Sequence, residues 1–199
     1  MENGNNNTYF GYGTGHSEPQ KGDLLLSEPF LADPNFVRTV VLLCEHNNEG
    51  SVGFVINKPS SLRLSEVVEE FVGIDLEVFF GGPVQQDSLH FVHRRGDLFE
   101  GSVEIRDGLF WGGNFEQLIS LANAGVLQPE DFKFFIGYSG WASGQLIDEM
   151  KMNSWIISRN VNLMQIFDTN TDQLWKDVLR AMGGKYKMIS NYPVDPRLN

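Results

Sequence analysis

The chain contains one cysteine, Cys44, in 199 residues. A lone thiol excludes an intramolecular disulfide and any zinc site built from several thiolates. Cations are also scarce: 15 Lys and Arg stand against 26 Asp and Glu, a formal net charge of −11. Phosphate contacts draw on clustered Lys and Arg, so a nucleic-acid partner is disfavoured. No apolar run approaches the roughly 18 residues of a membrane span, so no membrane partner is expected. The opening Met1-Glu2-Asn3-Gly4 has neither the basic nor the apolar stretch of a secretory leader. Together these absences point to a cytoplasmic protein. No residue pattern calls for a metal or a cofactor.

What is present fits an ordinary globular protein, with 41% hydrophobic and 21% charged residues. At about 150 residues per domain the length suggests one domain. Residues 1–22 are rich in Asn and Gly and have no hydrophobic period, so ordering them would cost entropy for little burial. They read as a disordered tail ahead of a single domain over 23–199.

Leu24-Leu25-Leu26 reads as a strand. Phe36 to Cys44 is apolar nearly throughout, the mark of a strand covered on both faces, and Val52 to Ile56 returns as its hairpin partner across a polar turn. Leu64, Val67, Val68 and Phe71 follow the 3.6-residue period and predict an amphipathic helix closed by Gly73. Glu77 to Phe80 is a strand stopped by Gly81-Gly82-Pro83. Leu89 to His93 alternates as a half-buried strand. Asp107-Gly108 predicts a type I′ hairpin. Asn114 caps a helix ended by Gly125. Phe132 to Tyr138 is a strand that runs into a glycine-rich turn, Gly140 to Gly144, and then a helix from Gln145. Trp155 to Ile157 is a strand, and a last helix buries Leu174, Trp175, Val178, Leu179 and Met182. The pattern is α+β with mixed or antiparallel sheet, lacking strict βαβ alternation.

Few residues carry obvious chemistry. Cys44 and His46, two apart on a strand, project to one face, where an imidazole could lower the thiol pKa; equally, Cys44 completes a core strand. They are the candidate catalytic pair. His90 and His93 fall on opposite faces and make no bidentate metal pair. Gly137-Tyr138-Ser139-Gly140-Trp141 resembles a nucleophile elbow with Ser139 as the serine, but Trp141 replaces the last glycine. The carboxylates Glu66, Glu69, Glu70, Asp148 and Glu149 read as solvated helix faces. Gly81, Gly82 and Pro83, with Tyr138, Gly140, Trp141, Gly144 and Gln145, outline a candidate ligand pocket. Paired glycines admit close approach to backbone amides. The helix start after Gly144 would favour a small anion, and a protein partner is the other candidate occupant.

Five motifs appear in one order: Asp33-Pro34-Asn35-Phe36, Cys44-Glu45-His46, Gly53-Phe54-Val55-Ile56-Asn57-Lys58-Pro59, Gly81-Gly82-Pro83-Val84-Gln85, and Gly137 to Trp141 with Gly144-Gln145-Leu146. Asn153 and Trp155 follow. Together they resemble the bacterial YqgE/AlgH family over residues 21 to 189. That resemblance implies an α+β fold whose bifurcated sheet includes a small closed barrel, surrounded by helices. It implies no settled activity, although the family name refers to a proposed regulator of alginate production. This chain departs from common family patterns with Ser143 where many relatives have Pro. It also lacks their terminal Gly-His-Ala-like segment. The expectation is an uncharacterised, non-catalytic binding or regulatory module. The alternatives are a hydrolase or thiol-dependent enzyme using Cys44 and His46, and a transcription-linked regulator.

Overall fold

The computed structural model describes residues 18–72, 75–160, 162–168 and 171–193. Among these the strands are β1 (Leu24–Ser27), β2 (Val40–Asn47), β3 (Gly50–Val55), β4 (Pro59–Arg63), β5 (Glu77–Phe80), β6 (Val84–His93), β7 (Val103–Arg106), β8 (Leu109–Trp111), β9 (Phe132–Ala142) and β10 (Trp155–Ser158). The helices are α1 (Leu64–Val67), α2 (Phe115–Asn123), α3 (Gln145–Lys151), α4 (Leu163–Phe167), α5 (Leu174–Met182) and α6 (Gly184–Ile189). The α+β reading holds. No described helix is long and apolar enough to cross a membrane. Residues 1–17 of the expected tail lie outside the described residues, whereas Pro19 and Gly22 are buried and Gly22 donates its N–H to the Leu43 carbonyl.

The strands are ordered β10-β1-β2-β3-β9-β6-β8-β7, with β5 added to β9 and β4 to β5. β9 is the hub. Its first half pairs in parallel with β5, Phe134 opposite Val78 and Ile136 opposite Phe80. Its last residues pair antiparallel with β3, from Ser139 opposite Gly53 to Ala142 opposite Gly50. The other edge of β9 carries β6. All other pairings are antiparallel, so the sheet is largely antiparallel and forks along one edge of β9. A barrel requires its outermost strands to share a ladder. Here no pairing among the described strands joins β10, β7 or β4 to each other. The sheet is therefore open, which corrects the closed barrel that the family resemblance implied.

Side-chain alternation on β1–β3 explains why these strands read as apolar throughout. Leu24, Leu26, Val40, Leu42, Phe54 and Ile56 pack on one face against α5 and α6. Leu25, Val41, Leu43 and Val55 pack on the other against Trp141, Trp155 and α3. Both faces are covered, so period two vanishes from the sequence. A nine-residue helix such as α5 is marginal alone. It is held by Leu174, Trp175, Val178 and Leu179, all buried, each contributing about 1.5–3 kcal/mol. The Trp175 indole N–H also donates to the Ser27 carbonyl at 3.0 Å. A second core joins α2 to Val78, Phe91, Phe132 and Phe134.

Several local expectations change. The helix drawn from Leu64 to Gly73 stops after Val67, and Val68 is extended at φ −137°. Leu64 is held to the sheet edge by its N–H on the Leu76 carbonyl, and two adjacent β-branched valines favour the exit. Gly73 lies outside the described residues. β6 is longer than Leu89–His93, and Phe91, Val92 and His93 are all buried because successive residues meet different cores. The Asp107-Gly108 turn exists, but only Gly108 has positive φ, so it is not type I′. A register shift between Glu104 and Arg106 accommodates it. α6 was not foreseen.

At the fork, Gly81 and Gly82 pass directly against β9. A Cβ on Gly81 would lie 2.3 Å from the Gly137 carbonyl oxygen, and one on Gly82 2.3 Å from the Tyr138 carbonyl. Gly137, at φ +66°, would place its Cβ 2.6 Å from the Gly82 oxygen. The glycines are needed because backbone meets backbone. Gly82→Ala should therefore destabilise the fold by about 3 kcal/mol or more in urea unfolding, since the crossing cannot relax without opening the ladder. Gly125→Ala, at φ +69° with nothing within 4 Å, should cost only about 1–2 kcal/mol.

Candidate functional site

β9 does not end at Tyr138 but runs through Gly140 and Trp141 to Ala142, because β3 takes up its last four residues. The turn into α3 is reduced to Ser143-Gly144, with Gly144 at φ +77°. Extended strand in place of a sharp turn removes the nucleophile-elbow geometry. Ser139 is fully buried and its hydroxyl donates to the Gly81 carbonyl at 3.1 Å. It bridges the two arms of the fork.

Beside this strand end lies a recess of about 370 Å³ lined by Leu31, Asp33, Phe36, Pro83, Gly140, Trp141, Gln145, Glu149, Ser154 and Trp155. Pro83, Gly140, Trp141 and Gln145 from the sequence-derived pocket thus share one wall. Gly81 and Gly82 lie behind it as the backbone crossing. Gly144 shapes the helix entry without lining the recess. Tyr138 belongs to a neighbouring hollow of about 420 Å³, which also touches Gly140 and Trp141 and contains Glu45 and Glu49.

The centre of the first recess is Glu149. The indole N–H groups of Trp141 and Trp155 both donate to its Oε2, at 2.9 and 2.7 Å. The Gln145 amide donates to Oε1 at 2.9 Å. Trp155 meets Trp141 edge-on at 5.8 Å and Phe36 edge-on at 5.3 Å, and Phe36 stacks on Trp141 at 6.5 Å. Asp33 stands on the Phe36 side, its Oδ1 accepting the Asn35 N–H. The donors to Glu149 are all neutral, and no Lys or Arg lines the recess, so the two carboxylate charges are undiluted there. An anion would be repelled. Gln145 Oε1 turns back to accept the Ala142 N–H at the end of β9, at 3.0 Å.

Glu149 was read from sequence as a solvated helix carboxylate; it instead ties α3 to β9 and β10. Gln145 and Glu149 are an i, i+4 pair, the one local signal. Trp155 comes from a separate strand, beyond the reach of spacing arguments.

Cys44 and His46 do not line either hollow. The β2–β3 register slips between Leu43 and Glu45, leaving Cys44 as the extra residue of a bulge. Cys44 turns into the core beside Leu42 and is fully buried, while His46 Nδ1 sits 2.7 Å from Ser51 Oγ in the hairpin. Burial pushes the Cys44 thiol well above its ordinary pKa, the opposite of activation. In the folded protein a thiol reagent should leave Cys44 unmodified at pH 8. One equivalent should react once urea unfolds the chain.

His90 packs against Phe54 and Tyr138, whereas His93 stacks between Phe110 and Phe132. His93 Nδ1 accepts the Arg95 N–H at 3.2 Å and Nε2 lies 2.9 Å from the Gly112 carbonyl. This arrangement needs the neutral ring with its proton on Nε2. Desolvation lowers the pKa of both histidines. A lowered folded pKa means stability present above the unfolded value of about 6.5 and lost as pH falls through the folded value. Urea midpoints should therefore drop between pH 7 and pH 5, and less steeply in His93→Phe. Among the described residues no group of three or more His, Cys, Asp or Glu converges as a metal site.

A largely antiparallel sheet forked at one hub strand, with helices on its faces and an acidic aromatic recess at the fork, defines the class. A family model described as AlgH-like matches residues 24–187. The chain is 48% identical over 180 residues to a UPF0301 protein of Cytophaga hutchinsonii, covering 90% of this chain and 98% of that one. It is 45% identical over 183 residues to a UPF0301 protein of Chlorobium phaeobacteroides, covering 90% and 96%. The solution structure of the AlgH protein from Pseudomonas aeruginosa is similar with TM-score 0.69 and 31% identity, covering 89% of this chain and 97% of that one. A crystal structure from Corynebacterium diphtheriae matches in fold with TM-score 0.73 at 22% identity, covering 88% and 94%. The chain belongs to the AlgH-like family of uncharacterised proteins, as its five motifs had indicated.

Proposed function

We propose that this protein is a non-catalytic, cytoplasmic binding module of a regulatory kind, and that its recess receives a cationic side chain of a protein partner. The observation that carries the reading is Glu149, held by Trp141, Trp155 and Gln145 with no cation beside it in the recess. Aromatic faces and a carboxylate together favour a guanidinium or ammonium group, at about 0.5–2 kcal/mol for each cation–π contact. A charge-assisted hydrogen bond adds to this. A small anion is the less favoured occupant, because the hollows on both sides of Trp141 contain carboxylates and no basic residue. The same charge disfavours nucleic-acid phosphates. The thiol-dependent alternative lacks support because Cys44 is sealed in the core.

The test follows the indole N–H resonances of Trp141 and Trp155 during titration with N-acetyl-arginine amide, its neutral citrulline analogue, and inorganic phosphate. The arginine compound should shift both resonances, with an affinity that falls as salt rises, and the citrulline analogue should bind at least fivefold more weakly. Glu149→Gln keeps an acceptor and removes the charge, so it should weaken arginine binding by a similar factor. Shifts produced by phosphate and not by the arginine amide would overturn the reading in favour of an anion site.

A further inference from the structure

The first half of β9 carries an unusual residue in a different part of the molecule. Lys133 is 3% exposed, yet it lines a recess of about 340 Å³ with Leu76, Glu77, Phe79, Glu130 and Asp168. Its Nζ donates to the Asp168 carbonyl at 2.8 Å and lies 3.8 Å from the centre of the Phe79 ring. Burial of the ammonium outweighs the neighbouring carboxylates of Asp168 and Glu77 and brings its pKa down to about 7. Glu130 faces the same space from the turn before β9, and the Arg94 guanidinium covers the Phe167 ring that forms part of the wall. A lysine on a strand next to Phe132, Phe134 and Phe135 would ordinarily be an error of patterning; here it places an amine at the edge of an apolar hollow. Desolvated lysines are the ones that act as nucleophiles toward carbonyl carbon.

We propose that Lys133 is a covalent capture site for small uncharged aldehydes, which it binds as an imine within this recess. The nitrogen lone pair of the neutral amine attacks the aldehyde carbon, the C=O π pair moves to oxygen, and the proton that the nitrogen sheds passes to that oxygen to give a carbinolamine. Loss of one water then leaves the C=N bond; amine and aldehyde give imine and water, with no change in oxidation state. Glu130, Glu77 and Asp168 ring the hollow with negative charge, which selects against anionic carbonyl compounds such as keto acids. The apolar walls of Leu76 and Phe79 suit an aliphatic or aromatic tail, and the volume falls within the range of small-molecule sites. The inference is independent of the Glu149 recess.

The test treats the full chain at pH 7.5 with benzaldehyde and sodium cyanoborohydride, whose hydride fixes any imine as a secondary amine, and locates the adducts by peptide mass spectrometry. An exposed lysine with its ordinary pKa of about 10.4 holds roughly 0.1% of its amine neutral at this pH, so Lys133 should be labelled at least tenfold faster than the exposed Lys151 or Lys187. The advantage should shrink as pH approaches about 10, where exposed lysines also lose their protons. 4-Carboxybenzaldehyde should label Lys133 several-fold more slowly than benzaldehyde. Labelling of Lys133 no faster than the exposed lysines, or only after urea is added, would overturn the site. Equal labelling by the two aldehydes would overturn its preference for uncharged compounds.

Discussion

The close crossing of two backbone segments governs this structure. β5 ends where Gly81 and Gly82 meet Gly137 and Tyr138 so tightly that no side chain fits between them. That contact lets β9 exchange one neighbour for another along the same edge, β5 first and β3 afterwards. Gly81 stitches the exchange together. Its N–H donates to the Ile136 carbonyl, and its own carbonyl accepts the Val55 N–H and the Ser139 hydroxyl. Buried backbone polar groups must find partners or cost free energy, and here one residue ties the end of β5 to both β9 and β3.

The acidic recess is a consequence of this fork. Because β3 captures the end of β9, Trp141 is held in regular strand geometry with its ring facing Trp155 and Phe36. The strand then reverses through Gly144 into α3, which brings Glu149 back onto both indoles. The carboxylate has two duties: it satisfies two nearly buried N–H donors and supplies charge to the hollow. The same hub strand places Lys133 at its other end. One element thus positions an acidic recess at one end and a basic group in an apolar hollow at the other, and the two share no lining residue.

How much of this could be read from the sequence differs from element to element. β1, β2, β3 and β5 were legible because their apolar runs are bounded by Pro, Gly and polar turns. α2 was legible through Asn114, whose Oδ1 does accept the Gln117 N–H at 3.0 Å. The helix after Arg63 was overdrawn, since Leu64, Val67, Val68 and Phe71 satisfy a helical period while the chain is still tethered to β5. Half of the candidate pocket was legible in the same way. Pro83, Gly140, Trp141 and Gln145 do meet, because strand ends and glycines mark where a chain must turn. Glu149 was missed because a carboxylate on an amphipathic helix looks solvated until its partners arrive from elsewhere. The sequence left Cys44 open between a core position and a partner of His46; a bulge that shifts the alternation by one residue decides for the core, and no rule of period two anticipates it.

The sequence by itself determined the α+β character, the family, the doubly covered strand ahead of Cys44 and a glycine-permitted turn at 81 and 82. These follow from local chemistry: hydrophobic period, turn residues and the absence of a Cβ. Tertiary structure alone decided that β9 is a forked hub in an open sheet, that Cys44 is fully buried, and that Glu149 meets two indoles from different strands. Those outcomes depend on which distant segments pair. Pairing is set by the packing of whole faces, which no window of neighbouring residues contains.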